Sequence, residues 1–223
     1  DAIFIVDGIS SVGGNEFLTD EWGVDIAITG SQKCLAVPPG LAMVTVSKKA
    51  EDMLEDGKGG YYTDLKAHLD KSRKNQTPYT PAVSLFYALQ EALQIAAEEG
   101  FSERRARMAR LAKGVREAAL ALEIDLFPKV NEHSTYSNTV TAMKMPNGIT
   151  DGQLRGGMRK RGVVVSGGQS SLKGKIFRIG TMGACTESDV LRTIQTLELV
   201  LEKEGVIPSI GAGVEAASKA IDA

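Results

Sequence analysis

Two short apolar runs constrain the chain more than any other feature. Ala2 to Val6 is rich in β-branched and aromatic residues and ends on Asp7-Gly8, and Val24 to Thr29 repeats the pattern and closes on Gly30-Ser31-Gln32-Lys33. Apolar runs that do not alternate suit strands covered on both faces. The segment between them, GISSVGGNEFLTDEWG, is too long for a tight hairpin and long enough for a crossover. The two strands are therefore expected to lie parallel and to end on one edge of a sheet. A third run, Leu41 to Val46, follows Pro38-Pro39-Gly40 closely enough to return antiparallel. Open α/β sheets bind ligands beyond the carboxyl ends of their strands, which directs attention to Asp7 and Lys33.

Residues 51 to 79 carry charges, a Gly-Gly pair, two adjacent Tyr and Pro78 without a clear period, and read as a mobile excursion. Thr80-Pro81 predicts a helix start, Thr as N-cap and Pro in the first turn, ahead of an apolar face of Val83, Phe86, Ala88, Leu89, Leu93 and Ala97. Gly100 stops that helix, and Ser102 is expected to cap the next, whose basic residues Arg104, Arg105, Arg107, Arg110, Lys113 and Arg116 read as a solvated face opposite Met108, Leu111, Val115 and Leu122. Beyond Leu122 short strands at 139–143, 163–165 and 176–179 mix with a helix at 151–161 and a last long helix capped by Thr186 and Asp189. The fold class expected is α/β: part of a large domain with a mainly parallel sheet in residues 1–99, and a smaller α+β domain in 100–223.

Composition removes several classes of function. A net charge of −2, from 26 basic and 28 acidic side chains, offers no overall positive field to nucleic acid or an anionic membrane. No stretch approaches the roughly eighteen apolar residues of a membrane span. Two cysteines, Cys34 and Cys185, and two histidines, His68 and His133, make neither a disulfide framework nor a four-ligand zinc site, so no metal is expected and a reducing cytoplasm fits.

The chemistry can be read from Asp7 and Lys33. A partly desolvated lysine loses proton affinity and attacks carbonyls, while a carboxylate can hold a protonated ring nitrogen as an ion pair. Pyridoxal phosphate uses both groups, an amine at one end of the pyridine ring and an acid at the other. On spacing alone, Asp7 also reads as a strand-end turn residue and Lys33 as a surface amine.

The words around them add a resemblance. VDGISSVGG and GVDIAITGSQKCLAVPPGLAMV resemble the class V, fold type I aminotransferases of the alanine-glyoxylate and serine-pyruvate group, and TPYTPAVSLFYALQEAL and GKIFRIGTMG extend the likeness. The resemblance implies pyridoxal 5'-phosphate as cofactor, Asp7 as partner of its ring nitrogen, Ile9 packed on the ring face, Lys33 as the Schiff-base lysine, and Gln32 by the phosphate. It implies that Thr80 reaches the phosphate of the neighbouring subunit's cofactor, hence a homodimer with shared sites; the family often has a Tyr three residues before this Thr, where Thr77 stands here. Arg178, by strand alternation, points away from Phe177 and Ile179 and can grip a carboxylate with two parallel hydrogen bonds or join a structural ion pair. The resemblance implies the first, with the substrate α-carboxylate.

The implied reaction moves an amino group between alanine, serine or aspartate and glyoxylate, pyruvate or 2-oxoglutarate. Alternatives are a pyridoxal phosphate-dependent lyase or cysteine desulfurase, with Cys34 beside Lys33 as the hint, and a non-catalytic half-chain. The chain opens inside an apolar run and resembles the later part of the family's length. The N-terminal half, with its Gly-rich phosphate loop and stacked aromatic residue, is expected from a second polypeptide. GQSSLKGK at 168–175 fails as a phosphate loop, since its spacing is too long and Ile176 replaces the needed hydroxyl, and reads as a hinge loop.

Overall fold

The computed structural model describes residues 2–223, which form two compact units: residues 2–12 with 16–98, and residues 13–15 with 99–223. In the first, β1 (Ile5–Asp7), β2 (Ile26–Gly30) and β3 (Ala42–Val46) form a sheet in that order. β1 and β2 run parallel, with Asp7 beside Ile28, and β3 returns antiparallel with Gly30 opposite Ala42. The two apolar runs and the Pro-Pro-Gly turn predict this order and direction, but β1 is not covered on both faces: it is an edge strand of three residues, and Phe4 and Ile5 are exposed. Val24, Ala27, Cys34, Val37 and Ala50 are buried around it.

The excursion at 51–79 holds more structure than its sequence suggested. Just before it, Ser47 caps the short α1 (Lys48–Glu51), and within it Asp64 caps α2 (Leu65–Ser72) by accepting from the amides of Lys66 and Ala67. α3 (Val83–Glu99) starts later than Thr80-Pro81 predicted. The Pro81 carbonyl accepts from the Val83 amide at 2.9 Å, a closure tighter than a helix allows, so regular bonds begin only past it, and Thr80 is not the N-cap. The apolar face of α3 is present but uncovered: Val83, Phe86 and Leu93 are exposed, and within this helix Ala96 is buried.

In the second unit, β4 (Val140–Lys144), β5 (Ser166–Gly167) and β6 (Ile176–Gly180) form an antiparallel sheet in the order β4-β6-β5. The run Val163 to Val165 is not a strand; its first and last residues are buried in the core, and pairing starts only at Ser166. α4 (Phe101–Ala121) has Gly100 at its N-cap with φ of 87°, a conformation that glycine adopts cheaply, and Ser102 lies inside the first turn instead of capping it. Nor is the basic face of α4 wholly solvated. Arg104 is buried, and Arg107 meets Glu99 through Nε at 2.6 Å and Nη2 at 3.1 Å while donating to the carbonyls of Gly183 and Cys185.

α5 (Asp151–Lys160) and α6 (Glu187–Lys203) each begin with a full capping box, Thr150 with Gln153 and Thr186 with Asp189. α7 (Ala212–Asp222), which the sequence reading did not anticipate, lies along α4 so closely that a Cβ on Gly114 would fall 2.6 Å from Cγ1 of Ile221. Phe177, Met143, Leu154, Met158, Leu197 and Leu201 fill the space between sheet and helices. Among the described residues no helix is long and apolar enough to cross a membrane, and no cluster of three or more metal-ligating side chains is present.

Candidate active site

The parallel pairing of β1 and β2 delivers two loops to one sheet edge. Asp7 ends β1 with its carboxylate exposed; Oδ1 accepts from the Ile9 amide at 3.0 Å, an Asx turn that bends the chain away from the strand. Gly8 lets the bend run tight against β2, because a Cβ there would fall 2.7 Å from Cγ2 of Val12 and 3.3 Å from the Ile28 carbonyl oxygen. Ile9 is half-buried beside it.

The second loop follows β2. Ser31 is buried and staples it, donating to the Pro38 carbonyl at 2.8 Å and accepting from the Leu41 amide at 3.3 Å. Ala36 takes a φ of 57°, and its amide closes on the Lys33 carbonyl at 3.0 Å. Lys33 is half-buried and has no ion pair among the described residues, and Gln32 is exposed. The loops touch, since the Cys34 thiol donates to the Ser10 carbonyl at 3.7 Å. Asp7, Ile9, Gln32 and Lys33 are thus gathered on one edge.

Thr80 lies in the same unit, exposed, on the segment leading into α3. An aromatic cluster absent from the sequence reading shapes that segment. The Tyr79 ring stacks on Tyr62 with centroids 5.2 Å apart, tilts against Tyr61 and meets His68 edge-on, and its hydroxyl donates to the Tyr61 carbonyl. Tyr79 is separated from the adjacent Tyr61 and Tyr62 by α2, so no sequence signal joined them. Thr77 donates to the Tyr79 carbonyl at 2.6 Å.

Arg178 belongs to the second unit, in the middle of β6 between Ala142 and Ser166. Phe177 and Ile179 are buried, and Arg178 is half-buried on the other face, as alternation predicted. Its Nε donates to the Gly167 carbonyl at 3.0 Å, which leaves the two terminal amino groups for a planar anion. Segment 168–175 closes on itself through a short 3-10 turn at Ser170–Leu172 and a bond from the Lys175 amide to the Leu172 carbonyl.

The family model "Aminotransferase class-V" matches residues 1–192. An uncharacterized aminotransferase of Methanocaldococcus jannaschii is 49% identical over 209 residues, covering 92% of this chain and 54% of that protein. A serine–glyoxylate aminotransferase of Arabidopsis thaliana is 38% identical, covering 97% and 54%. The crystal structure of ureidoglycine-glyoxylate aminotransferase from Bacillus subtilis superposes with a TM-score of 0.91 at 32% identity, over 100% of this chain and 58% of that one. The chain belongs to the class V aminotransferases, a family of pyridoxal phosphate enzymes of fold type I, and spans about half the length of the curated relatives it matches.

The residues on the β1–β2 edge fit that cofactor in kind. Asp7 keeps Oδ2 without a hydrogen bond among the described residues, Ile9 offers an apolar surface next to it, and the Lys33 amine is not neutralised by a carboxylate. A pyridinium nitrogen, a ring face and an aldehyde carbon call for those three groups.

Proposed function

We propose that the protein is a pyridoxal phosphate-dependent aminotransferase moving an amino group between alanine, serine or aspartate and glyoxylate, pyruvate or 2-oxoglutarate. The observation that carries this reading is the register of β1 on β2, with the contact of Cys34 on Ser10, which brings the Asp7 and Lys33 loops together. The cofactor, when bound, supplies an electron sink for the substrate's α-carbon. Asp7 keeps the ring nitrogen protonated, Ile9 supports the ring face, and Gln32 and Thr80 approach the phosphate. Lys33 would hold the cofactor through its amine, and that same Nζ, when free, would accept the proton from the substrate's α-carbon. Arg178 takes the α-carboxylate between its terminal amino groups.

The phosphate loop, the second ring face and the cover for α3 come, in this reading, from the share of the relatives' length that this chain does not span. The exposed Thr80 fits a site shared across a homodimer, and two free cysteines fit a reducing cytoplasm. A desulfurase would need an accessible thiolate. Cys34 is buried at 1% exposure, and burial pushes the Cys185 thiol up, so the amino-transfer reading is preferred. Exchange of amino groups by the holoenzyme tests it: Lys33→Ala is expected to lose turnover, and a wild-type rate in that variant overturns the assignment.

A further inference from the structure

The acceptor that aims Arg178 is itself held from behind. Across the β5–β6 ribbon, Gly167 pairs with Phe177 and Ser166 with Arg178. Directly opposed residues share a face, so the vacant side-chain position of Gly167 opens on the side that Phe177 buries, and the Arg178 side chain rises on the other. α5 fills that vacancy. A Cβ on Gly167 would run into Nη1 of Arg155 and lie 3.1 Å from both Cζ of Arg155 and Oδ1 of Asp151. Arg155 and Asp151 form a stretched pair at 3.5 Å, and Nε of Arg155 and Oδ1 of Asp151 are buried without a hydrogen-bond partner. A stretched pair with about a third of each side chain exposed and two of its atoms left unsatisfied contributes little to stability, so its arrangement asks for another reason.

We propose that Arg155 is a positioning residue for substrate carboxylate recognition: its guanidinium, packed in the space Gly167 leaves open, fixes the peptide whose carbonyl orients Arg178. The inference rests on the reading of Arg178 as the carboxylate grip. A long arginine side chain aims two parallel N–H bonds only if its plane is fixed, and the bond from Nε to the Gly167 carbonyl fixes it. If that carbonyl swings, the terminal amino groups lose their aim while the residues that hold the cofactor are untouched. Asp151 offsets the Arg155 charge, so two guanidinium groups can flank one peptide without repelling each other.

Gly167 makes a clean probe, because an added methyl meets the flexible tip of Arg155. Gly168 does not, since a Cβ there would strike the Leu172 backbone and disrupt the loop itself. The test uses the holoenzyme with propionate as an unreactive carboxylate, titrated calorimetrically, together with KM, kcat and cofactor affinity. Arg155→Ala and Gly167→Ala are each expected to weaken propionate binding and raise KM about tenfold, with a much smaller loss of kcat and unchanged cofactor affinity. Arg155→Lys, which keeps the charge beside Asp151 but not the planar group under Gly167, is expected to show the same loss. The double variant Arg155→Ala/Gly167→Ala should be no weaker than the weaker single one, because both act through one contact.

Wild-type propionate affinity in Gly167→Ala and Arg155→Lys overturns the proposal, as do losses that multiply in the double variant or a parallel loss of cofactor. Arg178→Ala separates the two layers. Undiminished propionate binding there overturns the grip itself, whereas a loss there with none in the Arg155 and Gly167 variants overturns the positioning role alone.

Discussion

The Asp25 carboxylate ties the chain just before β1 to the segment just after β3. It accepts from the Phe4 amide at 2.9 Å, the Ser47 hydroxyl at 2.9 Å and the Lys49 amine at 2.9 Å. These partners, the Phe4 amide first, then Lys49 and Ser47, hold its pKa at about 2, below the ordinary 3.8. A depressed carboxylate contributes stability that is complete above its unfolded value and is lost as pH falls toward its folded one. The stability gap between the protein and its Asp25→Asn variant is therefore expected to be widest above about pH 4 and to close between pH 4 and 2, read from urea midpoints. A gap that stays constant over that window contradicts the assignment. The positions of Asp7 at the end of β1, Lys33 in the loop after β2 and Arg178 within β6 were legible in the sequence, because alternation and topology fix those addresses. Asp25 and Arg155 were not, since their partners are remote in sequence or are a missing side chain. Arg104 and Arg107 were misread for a related reason: a basic helix face looks solvated until Glu99 and the 183–185 carbonyls are folded against it.

Among the elements, α7 shows how a helix can escape a sequence reading. Its N-terminus, Gly211-Ala212-Gly213, has no side chain able to cap it, and the cap comes from α6. Buried Glu198 accepts from the Gly211 amide at 2.9 Å through Oε2 and from the Gly213 amide at 2.7 Å through Oε1. Glu198→Ala strips both acceptors and is expected to destabilise the protein by about 1–3 kcal/mol, with faster amide exchange concentrated in α7. A loss below about 0.5 kcal/mol with unchanged exchange contradicts that role. Elements whose signals are local were readable: the Thr186 and Asp189 cap, the Pro38-Pro39-Gly40 turn and the direction of the three apolar runs formed as read, although β1 is shorter than its run and uncovered. Where the start of an element depends on a tight turn, as at Pro81, or strand pairing depends on a partner, as at Val163 to Val165, the sequence alone misplaced the boundary.

At the scale of the molecule, each unit carries a different share of the proposed chemistry. The first presents the Asp7 and Lys33 loops on a small sheet whose β1 edge, with Phe4 and Ile5 exposed, and whose α3 face remain apolar and open. Surface of this kind is an association hazard on its own, and in the proposed reading the rest of the enzyme covers it. The second unit is a well-filled core that holds Arg178 in the middle of β6. The family was legible in the motifs around Asp7, Lys33, Thr80 and Arg178, while the choice of amino donor and acceptor was not, because in the proposed reading alanine, serine and aspartate all offer the same α-carboxylate to Arg178. The measurement closest to the central claim is peptide mapping by mass spectrometry after borohydride treatment of the cofactor-loaded protein, which fixes the cofactor to the amine that holds it. The modified peptide is expected to be the one containing Lys33, with loss of the absorbance near about 400 nm; modification of a different lysine, or none, would contradict the account.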